Sequence, residues 1–266
     1  MNTFPLVDIH CHFVPGVDDG ARTLEDALSY LSGFVERGIE RVVTTPHLDA
    51  RGVAGRRRQA IDEAYEELES AARDHVPGLR LGGSFELRLE DPDIDLADPR
   101  LGLGTGGHLL VEFPMLLLPA YPDRILDVVH AQGWIPVLAH PERYAGIEQG
   151  YAWIPRWRDA GAVMCVNAGS LWGVYGSEAE RVSRRMLADG QVDVIASDHH
   201  SRPGRSVDLA DGLAFLQAAG CGEQARLLMS SNPTAVLDGG SLTAVPGCDL
   251  RSGWKSRLRS MLRGRP

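Results

Sequence analysis

The chain has 266 residues, 44% apolar and 24% charged, enough to bury a sizeable core and within the usual length of one α/β barrel domain. No stretch approaches the ~20 apolar residues of a transmembrane helix, and no basic-then-apolar leader precedes the first strand, so a cytoplasmic protein is expected. Net charge is −9, yet Arg251, Lys255, Arg257, Arg259, Arg263 and Arg265 close the chain without an acid, leaving the other 21 of 27 bases against 36 acids; so acidic a body argues against nucleic acid as a partner and suits one that gathers cations.

Short β-branched or apolar runs alternate with longer segments of helical period, as in βα units around a parallel sheet. Residues 6–9 read as the first strand. Thr23-Leu24-Glu25-Asp26 resembles a capping box, opening a helix through Leu28, Leu31 and Val35 that stops at Gly38. Strand two is 41–45. A charged helix over 56–74 follows, with Ile61, Tyr65 and Leu68 on one face. Strands three and four are 79–85 and 109–113, with surface loops at 52–55 and 91–107. A helix over 123–132 precedes strand five, 135–139. Strand six, 163–167, leads to a helix near 178–189 that ends at Gly190. Strand seven, 194–197, leads to a helix over 208–219. Seven such units point to a barrel, with an open sheet as the alternative. Residues 1–250 read as a single domain and 251–266 as a separate tail.

The chemistry sits where the strands end. His10 and His12 flank Cys11 just after strand one, and alternate residues of an extended chain face one side, so both imidazoles can grip one ion. H-x-H alone also describes two surface histidines. His47, however, follows strand two, Glu86 strand three and His140 strand five; Glu112 ends strand four, and Asp198 and His200 follow strand seven. In barrel enzymes the C-terminal ends of the strands form the active face. Asp18-Asp19 in the first loop adds a carboxylate, with Asp19 the preferred ligand and the other a helix N-terminal acid. Imidazole and carboxylate without thiolate suit Mn, Fe or Zn, and so many ligands call for two or three ions. Such ions lower the pKa of water between them and bind phosphoryl oxygens. Arg143, three residues after His140, can present its fork to a phosphate, as can Arg202 and Arg205 after His200. Arg88 beside Glu86 is a further cation.

Other features lead nowhere. Cys11, Cys165, Cys221 and Cys248 lack C-x-x-C spacing, so reduced thiols are expected. None opens a Cys-x5-Arg loop; Cys221 meets Arg226 one residue early. Gly102–Gly107 matches G-x-G-x-x-G but precedes a strand rather than joining strand to helix. His75, His108 and His130 lie away from the ligand-bearing positions, and His199 reads as a packing or supporting residue.

Taken together, Asp8-Ile9-His10-Cys11-His12, Gly16-Val17-Asp18-Asp19-Gly20, Thr45-Pro46-His47, Glu86-Leu87-Arg88, His140-Pro141-Glu142-Arg143 and Ser197-Asp198-His199-His200 resemble the PHP-type bacterial protein-tyrosine phosphatases of the CpsB/CapC type, found with capsule and exopolysaccharide genes. The similarity runs from about Val7 to Asn232-Pro233. It implies a distorted (β/α)7 TIM-like barrel and up to three metals, usually Mn2+, held by His10, His12, Asp19, His47, Glu86, Glu112, His140, Asp198 and His200. Arg143 and an arginine after His200, either Arg202 or Arg205, would hold the phosphate. The implied reaction is attack of metal-activated hydroxide on phosphotyrosine, on a bacterial tyrosine kinase that controls polysaccharide export. The alternatives are a PHP small-molecule phosphatase, such as a histidinol-phosphate phosphatase, and a non-catalytic metal-binding module. In the tail, Trp254, Leu258, Met261 and Leu262 line one face of a basic helix suited to anionic membrane or an acidic partner; a packed terminal helix is the alternative. The former would place the protein peripherally at the inner face of the plasma membrane.

Overall fold

The computed structural model describes residues 4–90, 94–201, 207–248 and 250, so the basic tail at 251–266 lies outside the described residues. Strands and helices alternate: β1 (Leu6–Cys11), α1 (Leu24–Glu36), β2 (Ile39–Thr44), β3 (His47–Asp49), α2 (Arg56–His75), β4 (Arg80–Gly83), β5 (Glu86–Arg88), β6 (His108–Glu112), α3 (Pro122–Ala131), β7 (Ile135–Ala139), α4 (Trp153–Asp159), β8 (Val163–Asn167), α5 (Ser177–Ala188), β9 (Val194–Ala196), α6 (Leu209–Ala218), α7 (Gly222–Arg226) and α8 (Asn232–Asp238). Every strand pair is parallel.

One sheet runs β1-β2-β4 and the other β3-β5-β6-β7-β8-β9. They are parts of one ring. β3 continues β2 beyond Thr45-Pro46, where proline has no N–H for the ladder, and β5 continues β4 beyond Ser84-Phe85. Ser84 N donates to Thr44 O at 3.0 Å and Glu86 N to Pro46 O at 3.1 Å, carrying the pairing across both kinks. The ring closes between β9 and β1. There Cys11 bridges His199, Asp198 N donates to His10 O, and His12 N donates to His199 O, both at 2.9 Å. With each kinked pair counted once there are seven staves among the described residues, and the fold is a distorted (β/α)7 barrel.

Alternating strand residues supply two layers. Val137, Ala139, Val163, Cys165, Val194 and Ala196 form the inner cluster with Val7 and Ile9. Leu138, Met164, Val166 and Ile195 face outward, against the helices. β1 breaks this alternation. Its register against β2 shifts between Asp8 and Cys11, and Cys11 joins the outer layer. Such irregularities re-aim side chains beside active sites, and this one leaves His10 and His12 free to face the barrel mouth.

Strand one extends through Cys11, so His10 lies within it. The expected strand over 79–85 ends at Gly83, and Glu86, expected just after it, opens β5; the third crossover contains a 3-10 turn at Pro99–Leu101 where an α-helix would otherwise sit. Helix α1 has its predicted cap, Thr23 Oγ1 accepting from Asp26 N at 3.1 Å; it buries Ala27, Leu31 and Phe34 fully, with Leu28 and Val35 partly buried against the same core. Helix α4 is not among the expected elements; Pro155 falls in its first turn, where a missing N–H costs little, and burial of Ile154 and Trp157 secures it. Cys221 and Cys248, read as free thiols, form a disulfide with Cα atoms 6.1 Å apart. The contact is tertiary, between the residue preceding α7 and a segment whose Cys248 N donates to Leu187 O at 3.0 Å, so local spacing gives no sign of it.

Candidate metal centre

The C-terminal ends of the staves converge on one buried cluster. His10, His12 and Glu86 offer ligand atoms within 4.8 Å of one another, as do His47, Glu86 and Glu112, and His12, Asp19, His47 and His200. Glu86 stands at the centre. Its Oε2 lies 3.3 Å from His10 Nε2, 3.4 Å from His12 Nε2 and 2.9 Å from His47 Nδ1. His140 Nε2 meets Glu86 Oε1 at 2.8 Å and Glu112 Oε2 at 3.7 Å. Asp198 Oδ1 lies 3.6 Å from His10 Nε2, 3.5 Å from His12 Nε2 and 3.3 Å from His200 Nδ1. Thus all nine residues singled out in the sequence as ligands meet in space. All but Asp19 and His47 are buried.

The donor set fits divalent ions. Glu86 Oε2 is buried without a hydrogen bond of normal geometry, although three imidazole nitrogens crowd it. A carboxylate so placed is suited to a cation between it and those nitrogens. All donors are oxygen or imidazole nitrogen, since Cys11 Sγ turns toward Val43 O, 3.5 Å away. Without ions the groups charge one another. Burial works against a charged His47 ring, yet Glu86, Asp19 and Glu112 raise it to about 11. His12 is likewise raised despite burial, chiefly by Asp18. Burial would push Glu86 and Asp198 up, but the histidines hold both well below the usual carboxylate range.

Backbone conformation shapes the mouth. His140 (φ 36°) and Asp198 (φ 51°) both lie in the left-handed region, where a residue with a side chain is disfavoured and where strain persists mainly at functional sites. Gly20 passes against His12 so closely that a Cβ there would come within 2.2 Å of His12 O. That approach presses the first loop onto β1 and explains the glycine after Asp18-Asp19.

Asp18 and Asp19 divide their work. Asp19 Oδ1 lies 3.3 Å from His200 Nε2 and 3.5 Å from His47 Nε2. Asp18 is not a helix acid: its Oδ2 pairs with His12 Nδ1 at 2.8 Å and accepts from His47 N at 3.1 Å. It fixes the tautomer and direction of His12, as carboxylates behind metal-bound imidazoles do. Burial favours a neutral Asp18, but His12 and Gly20 N–H bring its carboxyl down to about 2.

Arg143 stands beside the cluster. Its Nη1 donates to Asp198 Oδ2 at 2.6 Å, and its guanidinium lies 4.3 Å from the centre of the Tyr175 ring. Asn167 Nδ2 donates to the same Asp198 oxygen at 2.6 Å. Glu142 Oε1 accepts from Asn167 N and Ser170 Oγ at 3.0 and 2.6 Å, tying the Arg143 turn to the end of β8. Tyr175, Asn167 and Asp18 are thus participants that sequence reading did not single out in these roles. Only Asp18 stood in a legible motif; the other two reach the site through tertiary packing. Arg88 Nε donates to Glu112 Oε1 at 2.8 Å. Arg202 and Arg205 lie outside the described residues. His199 packs against Phe13, Phe34 and Tyr30 and contacts Val207 O at 2.8 Å, so its role is packing.

Relatives of known description share this arrangement of elements. The tyrosine-protein phosphatase YwqE of Bacillus subtilis is 30% identical over 215 residues, 80% of this chain and 84% of that protein. A solved structure, described as one of YwqE from Bacillus subtilis and CpsB from Streptococcus pneumoniae, unique metal-dependent tyrosine phosphatases, superposes with a TM-score of 0.80. It is 27% identical and covers 91% of this chain and 99% of its own. The phosphotriesterase homology protein of Escherichia coli, 12% identical with a TM-score of 0.55 over 89% of this chain and all of that one, shares the fold. Residues 6–238 match the model of the family described as capsular polysaccharide synthesis, CpsB/CapC, and the chain belongs to that family.

Proposed function

We propose that the chain is a metal-dependent protein-tyrosine phosphatase, with His10, His12, Asp19, His47, Glu86, Glu112, His140, Asp198 and His200 as ligands of two or three Mn2+ ions. The observation that carries this reading is the overlap of three ligand sets through His12, His47 and Glu86, beside Arg143. Ions bound there would make water nucleophilic at neutral pH and draw charge from the phosphoryl oxygens. The protein's own part is positional. Asp198 and the Tyr175 ring orient the Arg143 guanidinium, whose planar fork suits two phosphoryl oxygens. Either Arg202 or Arg205 supplies a second cation. The buried thiols play no part: Cys11 and Cys165 are held well above the usual thiol range by burial and nearby carboxylates, so neither is poised as a thiolate nucleophile.

The substrate we infer is phosphotyrosine on a protein, a bacterial tyrosine kinase governing capsule or exopolysaccharide synthesis. The description of the family and the tyrosine-phosphatase relatives support it. A single cytoplasmic barrel domain over 1–250 and a membrane-directed tail at 251–266 belong to the same reading. Among the described residues no helix is long and apolar enough to cross a membrane. In a test, chelation should abolish turnover of a phosphotyrosine peptide, Mn2+ should restore it, and thiol alkylation should leave it unchanged. Activity that survives chelation and dies on alkylation would end the proposal. A higher kcat/KM on a small phosphate monoester such as histidinol phosphate would reassign the substrate.

A further inference from the structure

Beside the metal cluster the surface changes character. Pro114-Met115-Leu116-Leu117-Leu118-Pro119-Ala120-Tyr121 is eight residues without a charge in a chain that is 24% charged. Leu116 and Leu118 turn inward against the core. Met115, Leu117 and Tyr121 turn out, 86%, 54% and 68% exposed, and they are three of the five large apolar side chains exposed among the described residues. Single exposed apolar residues are ordinary, but a cluster of them marks a contact surface.

The backbone holds this cluster in place at a cost. Met115 (φ 53°) and Leu116 (φ 55°) are consecutive left-handed residues with side chains, a conformation disfavoured for each. The first half of the segment is also tied to the catalytic face. It begins two residues after Glu112 at the end of β6. Leu117 bridges Ala145, and Ala145 N donates to Leu116 O at 2.8 Å, two residues beyond Arg143. Phe113 N donates to the Tyr144 hydroxyl at 3.0 Å, and that hydroxyl donates to Ala139 O at 3.1 Å. The apolar lip and the Arg143 turn therefore form one unit.

We infer that Met115, Leu117 and Tyr121 form a docking lip for the polypeptide on one side of the phosphotyrosine, and that they select substrates with apolar residues next to it. The inference rests on the tyrosine-phosphatase reading above. A phosphoryl group bound at Arg143 carries its chain past what stands beside the Arg143 turn, and this segment is joined to that turn through Leu116 and Leu117 at Ala145. Met and Tyr are residues that binding surfaces favour, Met for adaptability and Tyr for a large amphipathic face.

The test uses the full chain loaded with Mn2+ and three substrates: 4-nitrophenyl phosphate, a phosphotyrosine peptide flanked by Leu, Ile and Phe, and an equal-length peptide flanked by Ser and Gly. The wild-type chain should prefer the apolar peptide by about tenfold or more in kcat/KM. The triple variant Met115→Ser, Leu117→Ser, Tyr121→Ser should bring that preference within about twofold, through KM, with unchanged kinetics on 4-nitrophenyl phosphate. That last readout shows that the variant is folded. A wild-type chain without preference, or a variant that keeps it, overturns the lip while leaving the phosphatase reading intact. A wild-type chain inert on all three substrates removes the phosphatase reading and this inference with it. Light scattering completes the test: if the triple variant turns an oligomer into a monomer, the lip is a contact between copies of this chain and the inference fails.

Discussion

Arg143 is long and flexible by nature, yet here it is directed from two sides. Asp198 Oδ2 takes its Nη1 at 2.6 Å and the Tyr175 ring lies 4.3 Å from its Cζ. A guanidinium fixed before the substrate arrives loses less entropy on binding and is aimed where charge builds up in the transition state. Replacing it with alanine should lower kcat/KM on a phosphotyrosine peptide by about 10²–10³-fold. Lysine should recover little of this, because a point charge cannot reproduce the fork. Tyr175→Ala should cost about 0.5–2 kcal/mol, or roughly two- to thirtyfold, and phenylalanine should largely restore the loss. Metal content, measured in parallel, should not move in any of these variants. A Tyr175→Ala chain with wild-type kinetics would show that the stacking has no part in orienting the arginine.

At the level of elements, the first loop shows how a short motif shapes a site. Gly16–Gly20 folds back so that Ala21 N donates to His12 O at 3.0 Å, and Gly20 lies against His12 with no room for a side chain. Gly20→Ala should push the loop away from β1. Asp18 would then lose His12 and Asp19 would lose His47 and His200, so at least one ion should be absent from the purified variant by metal analysis, with activity falling accordingly. Full metal occupancy would mean that the loop can yield without disturbing the centre. The same loop marks the limit of sequence reading. Alternation after strand one was enough to pair His10 with His12 and turn Cys11 aside, and strand ends were enough to gather the candidate residues other than Asp19, which came from the first loop. The register shift that produces this facing lies in the pairing of β1 with β2, which no local pattern encodes. Nor does local pattern reveal that Pro46 divides a stave, or that Tyr175 reaches Arg143 from the segment before α5. Each of these depends on what lies across the barrel.

For the molecule as a whole, candidate ligands come from the ends of every stave except β8, and Asn167 at the end of β8 holds Asp198 instead. Bound ions would therefore lace the mouth of the barrel, and protons compete for the same atoms. In the metal-free chain His47 is raised from its ordinary 6.5 to about 11, against the effect of burial, by Glu86, Asp19 and Glu112. A raised imidazole stabilises the metal-free fold fully below about 6.5, and that contribution drains away as pH climbs toward 11. Metal binding runs the other way. An ion entering at neutral pH must expel the protons of His47 and of His12, which is raised as well, so its apparent affinity should rise about tenfold per pH unit for each proton released. Because a ligand stabilises the folded state in proportion to the logarithm of its concentration over Kd, the Tm difference between Mn2+-loaded and metal-free protein should widen steadily from pH 6.5 to 8.5. Thermal melts at fixed Mn2+ across that range measure it directly. A gap that stays constant or narrows would mean that the imidazoles facing Glu86 are already neutral before the ions arrive, and that the carboxylates alone bind the metal.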